Sequence, residues 1–181
     1  MFGLFKRDPN RVLIDKLHGE IMAGVLQPAL YLHCGAPDTF EGRLEMLILH
    51  TAAVVRRIER LPAPGPELAQ DVMDGVFRHL DGTLREMGVG DVTVPKRIKK
   101  HAEAFAGRAI SYANALESGD DGALRLALAR NVALDEAKAD TPEIHRLAAY
   151  VRAIDARLDS YDLDHFLNGK IGFPAPGTGA Q

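Results

Sequence analysis

Cysteine is almost missing from this chain of 181 residues: Cys34 stands alone. A single thiol excludes an internal disulfide and tilts the expected compartment toward a reducing one. Long apolar runs are missing as well. The longest, LEMLILHTAAVV, is interrupted by Glu45 and His50 and falls short of the roughly 18 apolar residues of a membrane span. It reads as a buried helix. Sustained strand alternation is absent, which argues against a sheet. The start, MFGLFKRDP, has no apolar stretch of signal-peptide length, and Pro9 leaves too little room before it for a transit peptide. These features predict a cytoplasmic protein, with room for peripheral contact at the inner membrane. Phe2, Leu4 and Phe5 beside Lys6 and Arg7 could touch a membrane surface, although a docked or disordered start is the plainer reading of so short a piece.

What remains is an ordinary globular composition, 46% hydrophobic and 26% charged, with a formal net charge of −3. One domain is the expectation at this length. The charge argues against a protein that coats nucleic acid but permits a local basic patch.

Apolar residues recur at helical spacing nearly throughout. Asp8-Pro9 should open a helix that buries Leu13, Ile14, Leu17, Ile21 and Val25. Pro28 bends the short LQPALYLHCG, and Gly35 ends it. Asp38 or Thr39 caps a long helix with the stripe Phe40, Leu44, Leu47, Ile48, Thr51, Val55 and Ile58. After the stiff break PAPGP, a third long helix runs through Val72, Val76, Leu80 and Leu84 to Met87, with Gly88 as its left-handed terminator. Pro95 starts another, whose narrow stripe is Ile98, Ala102, Phe105, Ala109, Tyr112 and Leu116. A shorter helix covers about Ala123 to Leu134, and Thr141-Pro142 starts the last, burying Ile144, Leu147, Val151, Ile154 and Leu158. The expected fold is all-α, a single domain of six or seven packed helices over residues 9–168. Residues 1–8 form a start segment, and residues 169–181, GKIGFPAPGTGAQ, have the composition of a mobile tail.

Chemistry is hard to find. Gly88–Gly90 follows a helix and lacks both the third glycine of a dinucleotide fingerprint and the Gly-Lys-Ser/Thr of a P-loop; a turn between helices explains it. None of the seven histidines forms a ligand pair of the His-x-x-x-His or di-iron type. Asp162-x-x-His165 has ligand spacing, but such a pair arises easily by chance. His50 in its apolar helix reads as a satisfied core or cleft histidine rather than a haem ligand. His33-Cys34 would need spatial partners and a depressed thiol pKa before it could count as catalytic. No cofactor or catalytic residue is expected, and an enzyme is the less favoured class.

The exception is a cluster of charge. In VPKRIKKHAEAFAGR, five basic residues stand against one acid, Glu103. Lys96, Arg97, Lys99 and Lys100 crowd the start of a helix, where the dipole makes a cation unfavourable by a few tenths to roughly 1 kcal/mol. A solvated face is the default for such a run. The placement against the dipole, and the free amides of the glycine turn beside it, favour instead a docking site for something acidic: phosphate, acidic side chains or anionic lipid. On a helical wheel Lys96 and Lys100 point away from the apolar stripe, Lys99 lies to one side, and Arg97 and Arg108 share the other, so all five should project from the domain.

Residues 84–112, LREMGVGDVTVPKRIKKHAEAFAGRAISY, and residues 27–50, QPALYLHCGAPDTFEGRLEMLILH, together resemble the two well-marked stretches of the ubiquinol–cytochrome c chaperone family. The likeness covers most of residues 10–165. Its members are all-helical, non-enzymatic assembly factors of the cytochrome bc1 complex. The mitochondrial ones act on newly made cytochrome b, with a small partner protein, near the ribosomal exit and the inner membrane. The resemblance thus implies a chaperone here, with a cytochrome b-like membrane-protein client and a small partner protein. Its signature falls on Leu84, Arg85, Glu86, Met87, Gly88, Gly90, Asp91, Lys96, Lys99, Lys100, Phe105, Gly107 and Arg108. The chain departs from the pattern at Ala106, where an aromatic residue is expected, and at His101, where a methionine is. The docking surface so expected comprises Arg85, Gly88, Gly90, Asp91, Lys96, Arg97, Lys99, Lys100 and Arg108, with weak anionic membrane contact in addition. An RNA- or ribosome-binding adaptor could use the same patch, but it would lack surface aromatics for base stacking if Phe105 and Tyr112 point inward. A haem- or quinone-handling enzyme would lack its ligand pairs.

Overall fold

The computed structural model describes residues 9–88 and 93–177. Among them every regular element is helical: α1 (Pro9–Val25), α2 (Pro28–His33), α3 (Phe40–Glu59), α4 (Gly65–Glu86), α5 (Val94–Ser118), α6 (Asp121–Asn131), α7 (Pro142–Asp159) and α8 (Leu163–Leu167), with one 3-10 turn at Glu136–Lys138. The six longer helices correspond to those expected; α2 and α8 are single short turns, and α8 was not anticipated.

The helix ends follow local chemistry. Thr39, not Asp38, caps α3: its Oγ1 accepts from the Gly42 N–H at 3.1 Å, while Asp38 turns aside to pair with Arg43. Asp120 caps α6 two residues earlier than expected, accepting from Gly122 N at 2.8 Å. That helix also stops early, at Asn131, so exposed Leu134 sits in a left-handed bend (φ 54°) rather than in helix. Gly88 ends α4 with φ 80°, as its position suggested. Pro95 occupies the first turn of α5.

α3 is the central element, packed on α1, α4, α5 and α7, while α6 bridges α5 and α7. The main core joins Ile14, Leu17 and Ile21 of α1 to Met46, Val54 and Ile58 of α3, Leu128 of α6, and Leu147 and Ile154 of α7. Phe166 of α8 is fully buried in the same cluster, and burial of a side chain of that size stabilises by about 1.5–3 kcal/mol. A smaller, separate cluster joins Leu44, Ile48 and Ala52 of α3, Leu80 and Leu84 of α4, and Val94 and Phe105 of α5. It fixes the first half of α5 on the α3–α4 pair.

His50 is fully buried in α3 and fully paired. Its Nδ1 lies 2.7 Å from the Met46 carbonyl, which can only accept, so Nδ1 carries the proton and Nε2 accepts from the Tyr150 hydroxyl at 2.8 Å. Burial holds its pKa down at about 4, which keeps the ring neutral. Gln27 donates to the Tyr150 oxygen at 3.3 Å and to the Pro174 carbonyl at 3.2 Å, so the chain of bonds reaches from α3 through α7 to the C-terminal segment.

That segment corrects the expectation of a mobile tail beginning at residue 169. Ile171 is buried, and Glu20 of α1 accepts from the N–H groups of both Ile171 and Gly172 at 2.9 Å. Phe173 meets the His50 ring edge-on, 4.9 Å between centroids. Gly24 is the reason there is room: a Cβ there would stand 2.6 Å from a Phe173 ring carbon and 2.8 Å from His50 Cδ2. Composition alone missed this, because the segment is anchored by two apolar side chains and by backbone groups that composition does not weigh.

Two outcomes follow for stability. Gly88→Val should cost on the order of 1–2 kcal/mol in urea melts, because no neighbour crowds a Cβ there and only the left-handed backbone resists the change. His50 binds its proton more weakly folded than unfolded, so its contribution is present above pH 6.5 and fades as pH falls toward about 4. The loss is on the order of 3 kcal/mol. His18, also held down at about 4 by burial, acts in the same sense, while Glu45, pushed up to about 7, acts in the opposite one. Relative to wild type, His50→Leu should therefore lower stability at neutral pH and flatten its fall with acidification. An unchanged slope would show that His50 does not titrate in that window.

Candidate partner-docking surface

The start of α5 is built without the usual safeguards. Thr93 already has helical dihedrals and makes no side-chain cap bond, and the first turn contains no acid. Instead Lys96, Arg97, Lys99 and Lys100 all point into solvent. Lys99 lies 3.8 Å from Glu103, one helical turn on, with both side chains mostly exposed; such a pair contributes only a few tenths of a kcal/mol. Lys96, Arg97 and Lys100 have no ion-pair partner among the described residues. The outward reading of these four side chains therefore matches their placement.

Arg85 is held by Asp81 at 2.7 Å across one turn of α4, so its charge is already shared. Gly88 is exposed beside Met87, a methionine 58% exposed at the helix end. Gly90 and Asp91 lie outside the described residues.

Arg108 does not belong with the projecting cations. It turns inward, with Nη2 2.7 Å from Oε1 of Glu45 on α3, and only 23% of its side chain is exposed. The helical wheel puts it beside Arg97, but the long side chain bends toward the Glu45 carboxylate on the facing helix. In the sequence Glu45 stands out only as an interruption of an apolar run. It is 8% exposed, and burial outweighs the attraction of Arg108, pushing its carboxyl up to about 7. The available signal was an acid inside an apolar helix; nothing local tied it to an arginine on α5. His101 is half-buried on the same face of α5, its pKa lowered by burial first and then by Lys100, Arg108 and Arg97.

Phe105 and Tyr112 are 7% and 4% exposed, and Phe105 packs edge-on against Phe77 of α4. The basic surface thus offers no aromatic ring of α5 for stacking on bases. The other chemical candidates resolve into structure. Asp162 accepts from the His165 N–H at 2.9 Å as the cap of α8, and His165 stacks on Tyr161. Cys34 is buried, and burial pushes its thiol up, the opposite of activation. Among the described residues no group of three or more histidines, cysteines and acids could hold a metal ion, and no helix is long and apolar enough to cross a membrane.

Comparison with known proteins agrees with this helical arrangement. The chain superposes on the crystal structure of the Cbp3 homolog from Brucella abortus with a TM-score of 0.81 and 34% sequence identity, over 92% of this chain and 91% of that one. No curated protein matches it. The family model described as ubiquinol–cytochrome C chaperone matches residues 32–173, which run from the end of α2 to the docked C-terminal segment. The chain therefore belongs to the ubiquinol–cytochrome C chaperone family.

Proposed function

We propose that this protein is a non-enzymatic assembly chaperone for the cytochrome bc1 complex, holding a cytochrome b-like membrane-protein client through Arg85, Gly88, Gly90, Asp91, Lys96, Arg97, Lys99 and Lys100. Family membership supports the class of function. The observation that carries the surface is the uncapped start of α5, where four exposed cations stand against the helix dipole and three of them have no ion-pair partner among the described residues. Val94 and Phe105 seat the first half of that helix on Leu44, Leu80 and Leu84, which sets where its backbone presents the charges. A patch of this kind attracts acidic loops of a partner and speeds the encounter more than it deepens affinity. A small partner protein could share the same face, and the setting is the cytoplasm beside the inner membrane.

Replacing Lys96, Lys99 and Lys100 with Glu tests this directly. Acids suit a helix N-terminus, so the melting temperature should stay level or rise slightly, while capture of client or partner from native cell extract falls strongly. A variant that melts much earlier would make the lysines structural, and one that captures the same proteins equally well would leave the surface without a docking role.

Contact with membranes should be weak and electrostatic. Each Lys or Arg near an anionic surface contributes about 1 kcal/mol, and the effect is screened within a Debye length. Vesicle co-sedimentation should show binding to anionic vesicles at low salt that disappears at high salt. Binding that survives high salt, or none at low salt, would contradict this picture.

A further inference from the structure

A cleft of about 460 Å³ opens between the start of α3 and the middle of α5, with Val132 and Leu134 beyond the end of α6 closing one side. That volume lies within the ~300–1,000 Å³ typical of ligand sites. Pro37, Leu44, Ala104 and Val132 supply apolar wall, and Thr39, Glu41, Lys100, His101, Glu45 and Arg108 supply polar groups. The start of α3 faces the same space, where the positive end of its dipole is offset by the Glu41 carboxylate of its first turn.

The Arg108–Glu45 pair inside this cleft is half-made. One guanidinium nitrogen meets one carboxylate oxygen at 2.7 Å, although the two groups can form a two-pronged contact. The second oxygen, Oε2, is buried and has no partner. Arg108 has no other ion pair among the described residues. Stability does not explain the arrangement, since a buried ion pair is typically no better than well-packed apolar side chains. A buried acid poised by desolvation and a specific partner inside a cleft is instead what functional sites tend to contain.

We infer that this cleft receives a carboxylate side chain presented by an acidic segment of a protein partner, with Arg108 as its anchor and Glu45 as the resident group it displaces. The cleft adjoins the proposed docking surface through Lys100, which lines it. The inference rests on the chaperone reading only for the origin of the carboxylate. As the incoming anion takes the guanidinium, Glu45 loses the attraction that favours its ionised form and binds a proton from solvent. The resulting neutral carboxyl can donate a hydrogen bond, where the ion could only accept. The charged and titratable groups around Glu45 are Arg108, His101, Lys100 and Tyr112 on α5, Glu41 on its own helix, and Arg130 of α6 acting on Tyr112. Free Glu45 releases its proton near pH 7, so the proton taken up on binding makes carboxylate affinity rise as pH falls toward that value.

The test is a nuclear magnetic resonance titration of the whole protein, following the Arg108 Nε–H signal. The probe is an acetylated and amidated peptide with one central Glu; the same peptide with Gln, and acetate alone, are the comparisons. The Glu peptide should give saturable shifts at Arg108 and Ala104, at least about tenfold tighter than the Gln peptide or acetate. Its affinity should be higher at about pH 6.5 than at about pH 8. Glu45→Gln should keep binding and lose this Glu45-linked pH dependence, while Arg108→Gln should abolish binding. The double change Glu45→Gln/Arg108→Gln leaves no unpaired buried charge, so it provides a folded variant that must also fail to bind. Equal shifts with the Glu and Gln peptides, no shift at Arg108, or acetate binding as tightly as the peptide each overturns the inference. Failure here leaves the α5 lysine test untouched; success here with failure there leaves a carboxylate receptor without the proposed chaperone surface.

Discussion

The structure depends on a line of hydrogen bonds through its centre, from the Met46 carbonyl through His50 and Tyr150 to Gln27 and Pro174. Each member is buried or half-buried, so any break would leave a polar group without water or partner at a cost of about 1–3 kcal/mol. A fully satisfied polar line also does what apolar packing cannot: it sets one relative register for α3 and α7 and one position for the segment after α8. Gly24 belongs to the same constraint, because only a residue without a side chain lets Phe173 cover the His50 ring.

Around that centre the molecule is held by several ion pairs that tie later helices back to α3. Arg56 bonds Asp155 of α7, and Arg60 bonds Glu117 at the end of α5. Arg57 donates twice to the Tyr161 carbonyl, at 3.1 and 2.6 Å, just beyond α7. Arg60 and Glu117 are about half exposed and contribute little individually. The Arg57 bonds matter more for order than for energy, since they fix the turn from which Asp162 caps α8.

The two kinds of charge on α5 follow from where the helix lies. Its first turns overhang the small cluster of Leu44, Leu84, Val94 and Phe105, so the residues opposite that contact stay in water. Two to three turns later the helix runs beside the acid-bearing face of α3, and Arg108 is drawn in. One basic sequence run is thereby divided into an exposed patch suited to an encounter and a partly buried cation suited to recognition. Separating these tasks is physically reasonable, because exposed charge chiefly sets association rate whereas desolvated charge sets dissociation.

The six longer helices, their punctuation and most core positions were legible in the sequence. Helical periodicity, Pro at helix starts and Gly88 at a helix end act through bonds only a few residues apart. The exposed lysines were legible for the same reason: a helical wheel with a clear apolar stripe tells which side faces water. Tertiary structure alone decided three things. It chose Glu45 as the partner of Arg108, 63 positions away, because facing helices set that distance and neither sequence neighbourhood encodes it. It gave His50 and Tyr150 a common bond, separated by 100 positions. It also docked Ile171 and Phe173, whose Gly- and Pro-rich surroundings read as loose chain until Glu20, Gln27 and Gly24 are brought beside them. Local sequence fixes a helix through short-range bonds and caps, whereas the protonation of a buried acid and the place of a tail depend on groups that only packing brings together.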